Sequence, residues 1–65
     1  MEKPTKRSIT IAGHATSISL EPSFWAALSD MAAAHNMSLA DKIAEIDARP
    51  RNSSLTSALR VAVLN

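Results

Sequence analysis

The stretch Ala15-Thr16-Ser17-Ile18-Ser19-Leu20-Glu21-Pro22 contains the transition on which the architecture depends. Its polar and apolar residues alternate up to Leu20, which is the period of a half-buried strand. Proline is tolerated at the first helical position, because the N–H that it lacks would have no partner inside the helix there. We therefore predict a strand that ends at Leu20 and a helix that opens with Glu21-Pro22.

A second alternating run, Arg7-Ser8-Ile9-Thr10-Ile11-Ala12, precedes this strand, and Gly13-His14 separates the two runs. Glycine at the first central position suits a type II′ turn, so we predict a hairpin that pairs Ala12 with Ala15. This register sorts the side chains onto two faces without conflict. The inward face contains Ile9, Ile11, Thr16, Ile18 and Leu20, and the outward face contains Ser8, Thr10, Ala12, Ala15, Ser17 and Ser19. A single long strand with a glycine bulge is the alternative.

The first helix is predicted to run to His35, because apolar residues recur at helical spacing from Phe24 onward. Asn36 follows, and this residue tolerates the left-handed conformation that commonly ends a helix. Ser38 then provides an N-cap for a second helix, with Asp41 three residues further on.

Pro50 stops the second helix, and a polar linker follows. Ser53 or Ser54 caps a third segment, residues 55–64, whose last turn is apolar nearly all round. A helix is favoured here, although the apolar run Val61-Ala62-Val63-Leu64 also fits a strand. Residues 1–6 are polar, contain Pro4 and show no period, so they are predicted to be a flexible basic tail before one domain, residues 7–65.

The chain has 65 residues and no cysteine. A domain of this length is marginal alone, and without disulfides we expect it to be an oligomer. Charge is uneven along the chain. Residues 1–20 have three cations and one acid, residues 21–48 have five acids and one lysine, and residues 49–65 have three arginines. Basic ends are compatible with a nucleic-acid contact.

The order of strand, helix, turn and helix resembles the bacterial ribbon-helix-helix family of DNA-binding proteins. Thr16-Ser17-Ile18-Ser19-Leu20-Glu21-Pro22 and Asn36-Met37-Ser38-Leu39 carry this resemblance. Residues 6–14, 43–47 and 53–60 are also similar to one uncharacterised bacterial subfamily. The resemblance covers nearly the whole chain after residue 5.

The resemblance implies a mainly helical, intertwined homodimer with a short β-ribbon, an extra N-terminal strand and a C-terminal helix. Whether two dimers pair into a tetramer is left open by the sequence. The ribbon enters the major groove of duplex DNA, and the N-terminus of the second helix faces a phosphate. The DNA-binding residues would be Lys6, Arg7, Ala15, Ser17, Ser19, Ser38, Leu39 and Lys42. The dimer core would be Ile18, Leu20, Phe24, Trp25, Leu28, Met31, Leu39, Ile43 and Ile46.

We therefore predict a homodimeric transcriptional regulator in the cytoplasm, with no catalytic residue, cofactor or metal. One glycine and no cysteine or tyrosine argue against an enzyme, and His14 and His35 lack metal-ligand spacing. No apolar run is long enough to span a membrane. The alternative is a dimerisation or protein-interaction module of the same fold, with a protein partner at residues 55–65. The small outward side chains and the acidic middle favour this alternative.

Overall fold

The structure is a computed structural model that describes residues 2–65. The elements are β1 (Thr5–Ile11), β2 (His14–Leu20), α1 (Pro22–Ala34), α2 (Leu39–Asp47) and α3 (Leu55–Leu64). The strands form a two-stranded antiparallel sheet. The fold is therefore mainly helical with a short β-ribbon, as the sequence predicted.

The hairpin turn is formed by Ala12 and Gly13, one residue earlier than predicted. Their φ angles are 51° and 83°, and two consecutive positive values fit a type I′ turn rather than the predicted type II′ turn. Ala15 pairs with Thr10 instead of Ala12. Since this register differs from the predicted one by two residues, every paired side chain keeps its predicted face.

The strand β1 begins at Thr5, so Thr5 and Lys6 belong to the sheet and not to the predicted tail. The Thr5 carbonyl accepts a hydrogen bond from the Trp25 indole Nε1 at 2.9 Å. Further out, the carboxylate of Glu2 accepts hydrogen bonds from the backbone N–H of Ser23 at 2.9 Å and from its hydroxyl at 2.5 Å. These contacts attach the segment to α1. Met1 of the predicted tail lies outside the described residues.

The predicted helix ends are confirmed where local chemistry sets them. Asn36 takes a positive φ of 55°, and the N–H of Met37 donates to the carbonyl of Ala32 at 2.8 Å, which is the bond of a Schellman motif. The hydroxyl oxygen of Ser38 accepts from the N–H of Asp41 at 3.0 Å and caps α2. Ser54 caps α3, so the third segment is a helix and not a strand.

The core lies between the sheet and the three helices. Its buried members are Ile11, Ile18, Leu20, Trp25, Leu28, Ile43, Ile46 and Leu59. Six of the nine residues predicted to form a dimer core are therefore buried within a single chain. The other three, Phe24, Met31 and Leu39, are half-buried.

Candidate nucleic-acid interface

One face of the hairpin points away from the helices and carries only small or polar side chains. We call this set of exposed residues the outer face: Lys6, Ser8, Thr10, Ala15, Ser17 and Ser19. The pairs across it are Lys6 with Ser19, Ser8 with Ser17, and Thr10 with Ala15. The opposite face contributes Ile11, Ile18 and Leu20 to the core. The alternation of the sequence thus separates a surface for packing from a surface open to a partner.

The chemistry of the outer face suits short-range contacts. A serine or threonine hydroxyl can both donate and accept, so it can meet several base edges in a groove without strong selectivity. Lys6 is its only charged residue, and a flexible ammonium suits a phosphate. Ser8 and Thr10 of β1 share this surface with the predicted Ala15, Ser17 and Ser19. Sequence reasoning placed Ser8 and Thr10 outward but did not assign them to the interface.

The unpaired positive charge of the described residues is concentrated near the outer face. Four of the seven cations form ion pairs: Lys42 and Arg49 with Glu45, Arg51 with Asp47, and Arg60 with Glu21. Among residues 2–65, the cations without a salt bridge are Lys3, Lys6 and Arg7. The N-terminal segment is therefore the part of the described chain whose cations are available to an anionic partner.

Arg7, which is predicted to bind DNA, has a contact within the chain instead. It pairs with Ile18 and so lies on the helix-facing side of the hairpin. Its guanidinium carbon is 5.0 Å from the centre of the Trp25 ring, which is cation–π distance. Because Arg7 covers the buried indole, its main role is to stabilise the fold. The neighbouring Lys6 faces outward.

Lys42 also departs from its predicted place beside a DNA phosphate. It is only 3% exposed. Its ammonium lies 2.9 Å from Nδ1 of His35 and donates to Oε1 of Glu45 at 2.7 Å. The hydrogen bond from Lys42 is the largest cause that lowers the pKa of Glu45, and Arg49 lowers it further. Since Lys42 is buried and has these partners, it joins α2 to the end of α1 instead of facing solvent.

The start of α2 retains the geometry predicted for it. Ser38 is exposed, and Leu39 is half-buried with its backbone in the first turn. The first N–H groups of a helix have no intrahelical carbonyl partner, so they can meet an anion. Ser38 satisfies the N–H of Asp41 itself. Ser38 and Leu39 therefore have an established capping and packing role, and a phosphate contact there stays a prediction.

The comparisons with known proteins agree with this geometry. The sequence model of the ribbon-helix-helix domain matches residues 4–65. The chain belongs to the ribbon-helix-helix family. It is also similar to a solved structure of an uncharacterised protein from Bordetella pertussis Tohama I, with a TM-score of 0.80 and 34% sequence identity. The match covers 97% of this chain and 54% of that chain, so this chain spans about half the length of that protein. No curated protein matches it.

Ribbon-helix-helix proteins typically bind DNA, regulate transcription and dimerise, and the family fold is not an enzymatic one. Within the described residues, no helix is long and apolar enough to cross a membrane. Residues 2–65 also hold no group of three or more acidic, histidine or cysteine side chains arranged for a metal ion. The outer face and the N-terminal cations are thus the features of this ribbon-helix-helix chain that most resemble a binding surface.

Proposed function

We propose that this protein is a homodimeric transcriptional regulator of the cytoplasm that binds duplex DNA through the outer face of its hairpin. The observation that carries the proposal is the distribution of free charge. Lys3 and Lys6 have no ion pair and lie on or before β1, whereas each cation of α2, α3 and the linker between them has an acidic partner. Among the described residues, phosphates would therefore meet cations without an acidic partner only beside the hairpin.

The strand β2 is the better edge for pairing with a second chain. An exposed edge strand offers unpaired backbone groups, and natural proteins protect such edges with charged residues and proline. The sequence around β1 has this protection, with Lys3, Pro4, Lys6 and Arg7. Within β2, residues 14–20 contain no lysine, arginine, acid or proline. Antiparallel pairing of two β2 strands would join two outer faces into one continuous four-stranded surface.

On DNA, the two kinds of outer-face residue would have different tasks. Ser17 and Ser19 would lie nearest the dimer axis and contact base edges, whereas Lys6 on the outer strand would reach a flanking phosphate. Because the base-contacting side chains are short, affinity would come mainly from phosphates and would fall steeply with salt. Serine alone discriminates weakly between bases, so we expect the preference for a particular site to be modest.

Binding to a pool of random-sequence duplexes over a salt series, followed by sequencing of the bound fraction, tests the proposal. A steep salt dependence together with enrichment of a roughly palindromic site is the expected result for a dimeric regulator. A steep dependence without enrichment would mean phosphate contacts without base readout. Absence of binding at low salt would contradict the proposal.

A protein-interaction module is the second candidate, and one observation favours it. Val61 and Leu64 of α3 are 55% and 75% exposed, and their spacing of three residues on one helix places them side by side as an exposed apolar patch. Deletion of α3 would also remove the buried Leu59, so the sharper test replaces Val61 and Leu64 with serine together. Loss of a protein partner with unchanged DNA binding would assign that surface to protein recognition.

A further inference from the structure

The two strands of the hairpin present different chemistry on the outer face. The strand β1 contributes one ammonium and two hydroxyls, those of Lys6, Ser8 and Thr10. The strand β2 contributes a methyl group and two hydroxyls on short side chains, those of Ala15, Ser17 and Ser19. All of these residues are exposed. The charge of the outer face is therefore confined to β1, and β2 presents a neutral surface whose backbone a partner can approach closely.

A dimer formed through the β2 edges places the two strands at different distances from its two-fold axis. Ser17 is the central residue of β2 (His14–Leu20), so full antiparallel overlap of two β2 strands puts Ser17 on that axis. Neighbouring strands of a sheet lie about 4.8 Å apart. Each β2 strand then lies about 2.4 Å from the axis, and each β1 strand lies about 7 Å from it. The outer side chains of β1 form two rows, one along each margin of the surface.

The width of this surface exceeds that of the DNA groove it would enter. The major groove is about 12 Å wide and admits a two-stranded ribbon, so its edges lie about 6 Å from its middle. With the strands along the groove, the two β2 strands fall inside these edges, whereas the two β1 strands fall outside them. Since the bases form the floor of the groove, the side chains of β1 would meet the bordering phosphates first.

The side chains of β1 suit this position. Lysine, serine and threonine are among the residues that contact phosphate oxygens in protein–DNA complexes. Among residues 2–65, Lys6 has no salt bridge that would compete with a phosphate. From the strand positions and this chemistry, we propose that β1 binds the phosphates on both sides of the major groove through Lys6, Ser8 and Thr10, and that β2 alone contacts the bases. This assignment rests on the function proposed above and adds Ser8 and Thr10 to the same site.

Affinity and sequence preference then depend on different strands. Contacts to phosphates contribute to the binding of every duplex, and each neutralised phosphate makes binding more salt-dependent. Contacts to base edges distinguish one sequence from another. Changes on β1 should consequently alter affinity by the same factor for all sequences, and changes on β2 should alter the preferred sequence.

An arginine introduced on each strand tests this division. Thr10 and Ala15 lie directly opposite each other and both are exposed, so Thr10→Arg and Ala15→Arg add the same charge at neighbouring positions. Each variant is used to select from a pool of random duplexes, and its affinity is measured over a salt series. Thr10→Arg should keep the preferred sequence of the wild-type chain and steepen the slope of log affinity against log salt by about 2, for one added phosphate contact per subunit. Ala15→Arg should add guanine at two symmetric positions, because arginine bonds to the O6 and N7 atoms of this base.

Removal of single hydroxyls is a second test that adds no bulk. Ser8 and Ser17 also lie directly opposite each other, and each loses only its hydroxyl when it is replaced by alanine. Ser8→Ala should weaken binding to the selected duplex and to a shuffled duplex by the same factor, about three-fold. Ser17→Ala should weaken binding to the selected duplex more than binding to the shuffled one. Circular dichroism checks that all four variants fold as the wild-type chain does.

A new guanine preference in Thr10→Arg, or a larger loss in Ser8→Ala on the selected duplex than on the shuffled one, would overturn the assignment, because β1 would then lie inside the groove. An unchanged preference in Ala15→Arg would overturn it too, since β2 would then lie outside the groove. A wild-type chain that binds no duplex at low salt would contradict the proposed function and this assignment together. If the wild-type chain binds DNA, the proposed function stands and the two pairs of variants alone decide the role of β1.

Discussion

The two ends of the chain both carry surplus positive charge but use it differently. Around β1, Lys3, Lys6 and Arg7 have no salt bridge among the described residues, and Lys6 faces outward beside a row of hydroxyls. From residue 49 onward, each of the three arginines is bound to an acidic residue of α2 or to Glu21. Arg60 joins α3 to the start of α1, whereas Arg49 and Arg51 pair with acids four residues earlier in the chain. Lys3 and Lys6 remain available to a partner.

This contrast shows that formal charge along a sequence is a poor measure of available charge. Residues 49–65 have a formal balance of three positive charges, which is larger than that of residues 1–20. Acids of the middle segment pair with them in the fold: Asp47 with Arg51, Glu21 with Arg60, and Glu45 with Arg49 as well as with Lys42. The more basic segment by count is therefore the less suitable one for DNA.

The largest expected effect is on the stability of the fold, through a buried residue of the C-terminal helix α3. Leu59→Ala should lower the free energy of unfolding by about 2–5 kcal/mol, because a fully buried leucine leaves a cavity. Leu64→Ala, on the same helix but 75% exposed, should change it by less than about 0.5 kcal/mol. Chemical denaturation measures both values. Equal losses from the two variants would contradict the placement of α3 over the core.

The next effect concerns the outer face. Ser17→Glu places a carboxylate where we expect DNA, so it should weaken binding about a hundred-fold through like-charge repulsion. Ser29→Glu adds the same charge at an exposed position of α1 and should have little effect on binding. Fluorescence anisotropy with a labelled duplex gives both affinities, and sedimentation checks that each variant keeps the oligomeric state of the wild-type chain. Unchanged affinity in Ser17→Glu would exclude the outer face as the DNA-binding surface.

Arg7 sharpens the contrast, because it is an N-terminal cation with a structural contact. Arg7→Gln removes its cation–π contact with Trp25 and should lower the free energy of unfolding by about 0.5–1 kcal/mol. Its effect on DNA affinity should be smaller than that of Lys6→Gln. Trp25 is the sole tryptophan, so its fluorescence reports the change at the ring. A greater loss of affinity in Arg7→Gln than in Lys6→Gln would return Arg7 to the interface.

The smallest effect is a dependence of stability on acid pH. The pKa of Glu45 is held below its ordinary value of 4.5, first by the hydrogen bond from Lys42, and the pKa of Glu21 is lowered by its own backbone N–H and then by Arg60. A lowered pKa in the folded chain stabilises it above pH 4.5, and this contribution is lost as the pH falls below that value. Below pH 4.5, the free energy of unfolding of Glu45→Gln should depend less on pH than that of the wild-type chain. Asp30→Asn changes an exposed acid without an ion pair and serves as the control, so it should leave this pH dependence unchanged.

Features set by neighbouring residues could be predicted from the sequence. The serine caps of α2 and α3 and the left-handed Asn36 each depend on a few adjacent positions, and all are confirmed. The hairpin faces were also predictable, because alternation alone determines them. The turn type was not, since a glycine at one position fits two types of turn, and the choice depended on whether Ala12 adopts a positive φ.

Features that depend on residues far apart in the chain could not be predicted from the sequence pattern. The sequence predicts that Lys42 is an exposed cation near the start of a helix, yet His35 and Glu45 enclose its ammonium. An apolar stripe shows that a residue is buried but not which chain buries it. Ile18, Leu20 and Trp25 are buried within one chain, and their place in a dimer core stays a prediction.

The salt dependence of DNA binding in Lys6→Gln and Arg49→Gln compares one lysine from the hairpin with one arginine from the helical side. Both variants lose one positive charge per subunit, and Arg49 has an exposed side chain that is paired with Glu45. If Lys6 contacts a phosphate in each subunit, Lys6→Gln should reduce the slope of log affinity against log salt by about 2, and Arg49→Gln should leave it nearly unchanged. Equal reductions, or a greater reduction in Arg49→Gln, would contradict the view that the hairpin holds the charge available to DNA.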